Sequence, residues 1–437
     1  MTLGNSGRRA LRYCTALSLA LAGATAHAAE TGSEERLRLL ERRNQLLESQ
    51  LQKQQEMIES LTREVGNIRR SQDQSGDSPA ADASSTGIRL GNLHLSGEAG
   101  IAFFNTGSAG FAPHSEFRVD EARIYLEAPI WNEVYFFGEL NLATREDSDL
   151  SAKLGEFYLD FENISQLWGR DTQLNLRIGR LEIPFGEEYL HRDAIDNPLI
   201  SHSLADFWGI DPGVELYGAL GKFSYVLAVQ NGSAENGVQD FDGDKSIVAR
   251  VGWDPVSWLH FSISGMRTGN VDVENDRLSA IWFGNGFFRS IGGPDTTRFH
   301  ANVVEGDATV RWRKGHLSAF GGYVAYDDND PAADNSRDIF FYSVEAVQQV
   351  YGKLYAAARF SDIIADDGYA LAGHGDFGTY FFDRLSTRLW RLSLGLGYRF
   401  SDRLVTKIEY TIDRGEELGG AVRNNEDLFA TEAVFKF

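Results

Sequence analysis

The sequence predicts an all-β fold: a 16-stranded antiparallel transmembrane β-barrel, preceded by an N-terminal α-helical coiled coil. Three observations predict it. After residue 92, many segments of roughly nine to eleven residues alternate apolar and polar side chains, the length that a tilted strand needs to cross a bilayer. Long and short connections alternate between these segments. Beyond the N-terminus, no stretch approaches the about eighteen apolar residues of a helical membrane span.

Residues 1–28 have the pattern of a secretory signal peptide. Three arginines form a basic region, an apolar run follows, and Ala26-His27-Ala28 fits the small-residue cleavage site. The single cysteine, Cys14, precedes the apolar run. The mature chain is therefore expected to have no disulfide framework and no thiolate metal site, as suits export through an oxidising compartment.

The chain is acidic, with 42 Lys and Arg against 63 Asp and Glu and a formal net charge of −21. Nucleic acid and anionic membrane surfaces are poor partners for such a chain. We therefore expect no nucleic-acid binding.

Residues 33–70 fit a heptad repeat, which predicts a coiled coil and association of several chains. Apolar residues hold eight of the ten seam positions. The a positions are Leu37, Asn44, Leu51, Ile58 and Val65, and the d positions are Leu40, Leu47, Gln54, Leu61 and Ile68. β-Branched residues at a with leucines at d favour two strands. Residues 71–87 have almost no large apolar side chain and predict a flexible linker to a barrel over residues 92–437.

Sixteen alternating segments follow the linker, an even number as bacterial single-chain barrels require. They lie at about residues 92–104, 116–128, 133–143, 153–162, 173–181, 213–220, 222–231, 245–253, 258–267, 302–313, 315–326, 337–350, 353–362, 388–400, 403–413 and 426–437. Most connections after even-numbered segments are very short, which predicts periplasmic turns at one rim and long extracellular loops at the other. Five of the eight tryptophans lie beside the predicted periplasmic turns, where amphipathic rings favour the membrane interface.

If the apolar face of each strand contacts lipid, the lumen receives a set of basic side chains. The predicted pore-lining and anion-binding residues are Arg123, Arg177, Arg180, Arg250, Arg311, Arg359, Arg391, Arg399 and Lys407. The same faces carry acids such as Glu139, Asp160 and Glu409. A sixteen-stranded barrel is too wide for side chains to fill, so these charges predict a water-filled pore. The arginines either guide anions by fixed charge or pair with the inward acids, and the sequence leaves both open.

Sequence motifs give little support to an enzyme, a cofactor or a metal site. The GxGxxG match at residues 373–378 lies in a loop with no helix to bind an anion. Residues 240–244 have the acid spacing of a calcium loop but lack its distant glutamate. Ser201 and His202 are adjacent, and neighbours on a strand point to opposite faces, so they predict no catalytic dyad.

Three stretches resemble the phosphate-selective porin (porin O/P) family: GRLEIPFG at residues 179–186, DNP at 196–198 and WGIDPG at 208–213. The layout of residues 92–437 and the C-terminal Phe are similar too. The resemblance implies a trimeric outer-membrane channel whose third extracellular loop, here residues 182–212, folds into the lumen as a constriction. It also implies an arginine ladder, with some lysines, that conducts phosphate or polyphosphate.

The predicted constriction departs from that pattern because it is acidic. It holds seven acids against one arginine: Glu182, Glu187, Glu188, Asp193, Asp196, Asp206 and Asp211, with Arg192. Such a loop repels phosphate at close range unless its acids are paired or face away from the pore. The predicted constriction residues are Glu187, Glu188, Arg192, Asp193 and Asp196. The alternative is a lumen with both signs of charge and little ion preference.

These patterns predict a homotrimeric porin in the outer membrane of a Gram-negative bacterium, with the coiled coil in the periplasm. It would pass small hydrophilic solutes or ions, with anions such as phosphate as candidates. The alternative is an outer-membrane tether whose coiled coil binds the cell wall or a periplasmic protein. A third hypothesis, a lipid-degrading barrel enzyme, rests on Ser201 and His202. The terminal Phe437 resembles the signal that the outer-membrane assembly machinery recognises.

Overall fold

A computed structural model of the chain describes residues 87–144, 152–232, 243–272, 291 and 295–437. The predicted signal peptide at 1–28, the coiled coil at 33–70 and all but the last residue of the predicted linker lie outside these residues. Most of the predicted calcium loop, residues 240–242, lies outside them as well. These assignments and the predicted domain boundaries stay predictions.

The described residues contain nineteen strands, of which sixteen are long and three have two or three residues. The strands are β1 (Ile88–Leu90), β2 (Leu93–Thr106), β3 (Glu116–Trp131), β4 (Val134–Ala143), β5 (Lys153–Phe161), β6 (Asn175–Glu182), β7 (Ile210–Leu220), β8 (Phe223–Gln230), β9 (Ser246–Val256), β10 (Leu259–Arg267), β11 (Val271–Asp272), β12 (Arg298–Trp312), β13 (Gly315–Asp328), β14 (Arg337–Tyr351), β15 (Leu354–Tyr369), β16 (Ser386–Ser401), β17 (Leu404–Glu417), β18 (Val422–Arg423) and β19 (Leu428–Lys436). The helices are two 3₁₀ turns, Ile164–Trp168 and Glu188–His191, and α1 (Phe377–Phe382).

The sixteen long strands form one closed antiparallel barrel. Each pairs with the next long strand along the chain, and β19 pairs with β2 from Leu428↔Thr106 to Lys436↔Glu98. Phe437 extends this seam: its amide donates to the carbonyl oxygen of Gly97 at 3.0 Å, and its main-chain oxygen accepts from the amide of Gly97 at 3.1 Å. Closure removes the free edges that a bilayer cannot solvate. The predicted 16-stranded barrel is confirmed, and each predicted segment overlaps one of the long strands, several of which extend beyond the predicted bounds, as β15 does to Tyr369.

The two faces of the barrel differ as the alternation predicts. On β16 and β17, the apolar residues Leu394, Leu396 and Ile408 are exposed on the outer face, whereas Arg391 and Glu409 are buried inside. The tight turns at one rim use glycine where the backbone needs a positive φ, as at Gly352 with φ of 55°. The tryptophans near these turns, Trp131, Trp168, Trp253, Trp258 and Trp312, are all exposed.

Within the described residues, no helix is long and apolar enough to cross a membrane.

The interior is not polar throughout. A buried apolar cluster fills the part of the barrel near the long loops, with Phe299, Val324 and Phe341 from the wall. Phe207 and Leu371 reach it from two long connections. The expectation that apolar strand residues face lipid is therefore wrong for these inward positions of β12–β14, because the wall there packs against apolar loop side chains instead of water.

Candidate functional site

Residues 183–209, between β6 and β7, fold into the barrel, and we call them the inserted loop. Its apolar side chains pack on the inner wall: the ring of Phe207 lies 5.0 Å from Phe185 and 5.0 Å from Phe341 of β14, centroid to centroid. Apolar burial of this kind draws the loop inward, since its phenylalanines would otherwise face water. The predicted constriction loop is thus brought into the lumen.

Basic wall residues bind the backbone of the inserted loop. Arg250 donates to the carbonyl oxygen of Gly186 at 2.8 Å, Arg359 to Ser201 at 2.7 Å, Arg391 to His202 at 3.1 Å, Arg399 to Ile195 at 3.0 Å and Lys407 to Leu199 at 3.0 Å. A loop inside a barrel has carbonyl groups without strand partners, and each of these needs a donor. The predicted arginine ladder therefore positions the loop.

Wall acids complete the support for the inserted loop. The carboxylate of Glu409, buried on β17, accepts the amide of Ser201 at 2.9 Å and also that of Ile200. Glu345 accepts from Arg359 Nε at 2.9 Å, and Asp413 accepts from Arg391 Nε at 2.9 Å. The inward arginines therefore both pair with wall acids and hold the loop. Pairing with wall acids was one of the two roles predicted from the sequence, whereas holding the inserted loop was not predicted.

The acids of the inserted loop are paired with cations or hydrogen-bonded. Arg123 Nη1 lies 2.6 Å from Asp193 Oδ1, and Lys436 Nζ lies 3.5 Å from Asp196 Oδ2. Asp193 and Asp196 keep 40% and 51% of their side chains exposed, so both face the lumen. Glu187 lies 3.6 Å from Arg250. The wall thus offsets much of the negative charge that the loop carries by itself.

Two acids of the inserted loop, the half-buried Glu188 and the buried Asp206, have opposite pKa shifts. Burial, reinforced by the charge of Asp206, raises the pKa of Glu188, although Glu188 accepts hydrogen bonds from the amide and hydroxyl of Ser203. Burial also opposes ionisation of Asp206, but Arg192 Nε at 2.9 Å and His202 Nδ1 at 3.1 Å outweigh it and hold the pKa of Asp206 below its usual range.

Arg311 differs from the other wall cations. It lines a cavity of about 240 Å³ between the inserted loop and β12–β15, together with His316, Glu345 and Asp196. Its side chain is exposed, and within the described residues its guanidinium has no ion-pair or hydrogen-bond partner. A second cavity of about 650 Å³ shares Asp196 and His316 and extends to the short-turn rim. Arg311 therefore faces the open part of the lumen.

Two other predicted pore residues lie away from the inserted loop. Arg177 is bound to Asp160 at 2.8 Å and to Glu215 at 3.2 Å on neighbouring strands. Arg180 pairs across β5 with Phe157, an exposed outer-face residue, and its Nε donates to the carbonyl of Gly155 at 3.0 Å. The register thus places Arg180 on the outer face, and its predicted place in the pore is corrected. Arg180 lies three residues after Arg177 on β6, so strict alternation puts the two side chains on opposite faces of the barrel wall.

The predicted catalytic candidates bind separate partners. Ser201 Oγ donates to Glu409, whereas His202 Nδ1 lies 3.1 Å from Asp206, which the loop itself supplies. The GxGxxG stretch runs into the short helix α1 (Phe377–Phe382), so the expectation of no helix there is wrong. The amide of His374 in this stretch donates to Asp413 at 3.0 Å. Within the described residues, no cluster of three or more His, Cys, Asp or Glu has the arrangement of a metal site.

Solved structures share this architecture at low sequence identity. The outer membrane channel DcaP of Acinetobacter baumannii has a TM-score of 0.54 at 12% identity, covering 81% of this chain and 100% of that chain. The chain has the fold of outer-membrane porins. OmpT, an outer membrane protein of Vibrio cholerae, has a TM-score of 0.54 at 10% identity, with 81% and 100% covered. Salmonella typhi OmpF in complex with daunomycin has 0.50 at 12% identity, with 80% and 100% covered.

No protein-family model matches the sequence, and no curated protein matches it. The predicted membership of the phosphate-selective porin family is therefore not confirmed, and what these comparisons support is the barrel fold.

Proposed function

We propose that the protein is a porin of a Gram-negative outer membrane that allows passive diffusion of small hydrophilic solutes. The observation that carries this proposal is the closed barrel with an apolar outer face and a charged lumen narrowed by the inserted loop. An apolar outer face suits lipid, and a charged inner face suits water. Planar-bilayer recording tests the proposal, because a protein that inserts without conducting ions contradicts it.

We propose further that ion selectivity is weak and leans toward anions through Arg311. Most wall cations are bound to the inserted loop or to wall acids, so they attract permeant ions only weakly. Among the predicted pore-lining residues, all of which the structure describes, the guanidinium of Arg311 faces the lumen without a hydrogen-bond or ion-pair partner and so keeps its full capacity for an anion such as phosphate. The reversal potential across a salt gradient measures this preference, and a clear preference for cations contradicts it.

The tether is the second candidate function, and the heptad repeat at residues 33–70 favours it. Deleting residues 33–71 distinguishes the two. A tether loses attachment of the cell wall to the outer membrane, whereas a porin keeps its flux. The expected homotrimer, with the coiled coil as a periplasmic stalk, is tested by crosslinking of purified protein with and without this segment.

A further inference from the structure

Three aromatic side chains form a row on the inner wall of β3, β4 and β5. The ring centroids of Tyr125 and Phe137 are 6.0 Å apart, and those of Phe137 and Tyr158 are 5.1 Å apart, with interplanar angles of 30° and 27°. These separations are those of offset stacking, in which each ring leaves part of its face uncovered. The row thus presents apolar ring surface to the lumen.

The register of the strands shows that these rings face inward. Tyr125 is two residues from Arg123 on β3 and so shares its face, and the guanidinium of Arg123 contacts the inserted loop. Tyr158 likewise shares a face of β5 with the buried Asp160. The neighbour of Tyr158 on β5, Phe157, is exposed on the outer face. Aromatic residues are common on the lipid side of a barrel. A row on the water side needs another explanation.

The charges beside the row are satisfied. The guanidinium of Arg177 lies 5.2 Å from the ring centroid of Tyr158 and 4.4 Å from that of Tyr217. Asp160 accepts from Arg177 at 2.8 Å and from the Tyr217 hydroxyl at 2.9 Å. A solute at this wall therefore contacts aromatic ring surface beside the Arg177–Asp160 ion pair, whose hydrogen bonds are already made within the protein.

The row borders a cavity of about 530 Å³ at the short-turn rim, within the size range of small-molecule sites. Phe137, Tyr158 and Tyr135 supply ring surface there, and Asn92, His94 and Glu127 supply polar atoms. Glu127 lies 3.3 Å from His94, and Arg89 is exposed at the same rim, so the cavity carries both signs of charge.

We propose that this cavity is a binding subsite for a neutral sugar ring on its way through the channel. The apolar C–H face of a sugar packs on aromatic ring surface, and its hydroxyls exchange hydrogen bonds with amide, imidazole, phenol and carboxylate groups. A carboxylate at the cavity disfavours an anionic aromatic solute, which is the competing occupant. This inference rests on the proposed diffusion channel and names one class of its solutes.

The test is block of the ion current through the full-length protein in a planar bilayer. Maltose is added to one side, and the half-blocking concentration is measured for the wild type, Phe137→Leu and Phe137→Tyr. Leucine keeps the apolar bulk and removes the ring. We expect Phe137→Leu to raise the half-blocking concentration about two- to tenfold and Phe137→Tyr to leave it near the wild-type value. Phe157→Leu, on the outer face of β5, is the matched control, and its half-blocking concentration for maltose should equal that of the wild type.

Each outcome separates this inference from the proposed function. A protein that conducts ions but is not blocked by maltose overturns the sugar subsite and leaves the channel standing. Equal block of the wild type and Phe137→Leu also overturns the subsite. Stronger block by benzoate than by maltose would show that the site takes aromatic anions instead. Absence of any ion current contradicts the channel itself.

Discussion

Arg399 on β16 donates a hydrogen bond of 3.0 Å from Nη2 to the carbonyl oxygen of Ile195 in the inserted loop. Four other wall cations make the same kind of contact with the loop backbone. The positive side chains that the alternation places in the lumen thus set the position of the segment that narrows it. These cations therefore influence permeation in two ways, by their charge and by fixing the position of the inserted loop.

Replacing Arg399 with Gln should loosen the inserted loop without leaving a wall acid unpaired. A hydrogen bond from a charged donor contributes about 1.5–3 kcal/mol, so one end of the loop should move more freely while the barrel still folds. We expect a higher single-channel conductance and more open-channel noise. Arg313→Gln, at an exposed turn position beside β12, is the control. Equal conductance and noise in both variants would contradict the anchoring role.

Replacing Arg311 with Glu should shift the reversal potential toward cation preference. A unit charge about 4 Å from an ion contributes about 1 kcal/mol in water, which is roughly a fivefold change in a permeability ratio, and Arg311→Glu changes the charge by two units. Arg311→Gln should give a smaller shift in the same direction. Arg313→Gln changes charge outside the cavity and should have little effect. An unchanged reversal potential in Arg311→Glu would show that permeating ions do not come close to Arg311.

Mild acid should act on the inserted loop through Glu188 before it acts through Asp206. The pKa of Glu188 is raised, so its protonated form favours the folded loop below the usual carboxyl range, and that contribution is lost as pH rises through the folded pKa. The pKa of Asp206 is lowered, so its ion pairs persist above the usual range and are lost only as pH falls through the lower folded value.

We therefore expect cation permeability of the wild type to fall as the pH is lowered from neutral toward the usual glutamate value of 4.5, because Glu188, whose pKa is raised, gains its proton above that value. Reversal potentials across this pH range measure the change. Glu188→Gln should show a smaller change, and Asp206→Asn should show noisy channels at both pH values. An identical pH response in Glu188→Gln and the wild type would exclude Glu188 as the titrating group.

Deleting Phe437 should impair assembly of the barrel while leaving secretion intact. The deletion removes both backbone hydrogen bonds to Gly97 at the closing seam and an exposed outer-face ring. We expect less folded protein in the outer membrane and more unassembled protein in the periplasm, measured by heat-modifiable gel mobility of cell fractions. Phe437→Tyr keeps both bonds and the ring, and should assemble. Normal yield of the deletion variant would count against the predicted assembly signal.

The strands could be predicted from the sequence because the alternation of apolar and polar residues is local. Leu394 and Leu396 contact the outside while Arg391 faces inward, whatever the rest of the chain does. The same rule fails where the inner wall is itself apolar, as at Val324 and Phe341. At these positions both faces of the strand are apolar, so the sequence pattern does not show which face is inward. Only the loop packed inside the barrel distinguishes them.

The roles of the inward charges depended on contacts between distant parts of the chain. The alternation places Arg391 inside the barrel, but His202, whose carbonyl it binds, lies 189 positions earlier. The aromatic row was missed for a related reason: Tyr125, Phe137 and Tyr158 lie on three strands, and only their register makes them neighbours. Checking the inward face for aromatic as well as charged residues would have found them.

By itself the sequence determined the number and order of the sixteen strands and the outward-facing side of most of them. These properties follow from period-two alternation and turn residues, which act over a few positions of the chain. The tertiary structure decided which charges pair, which carbonyls Arg399 and its neighbours hold, and that Arg311 faces open lumen. Such pairings depend on strand register and on the path of a loop across the barrel. They join residues from distant segments, so no single segment of the sequence predicts them.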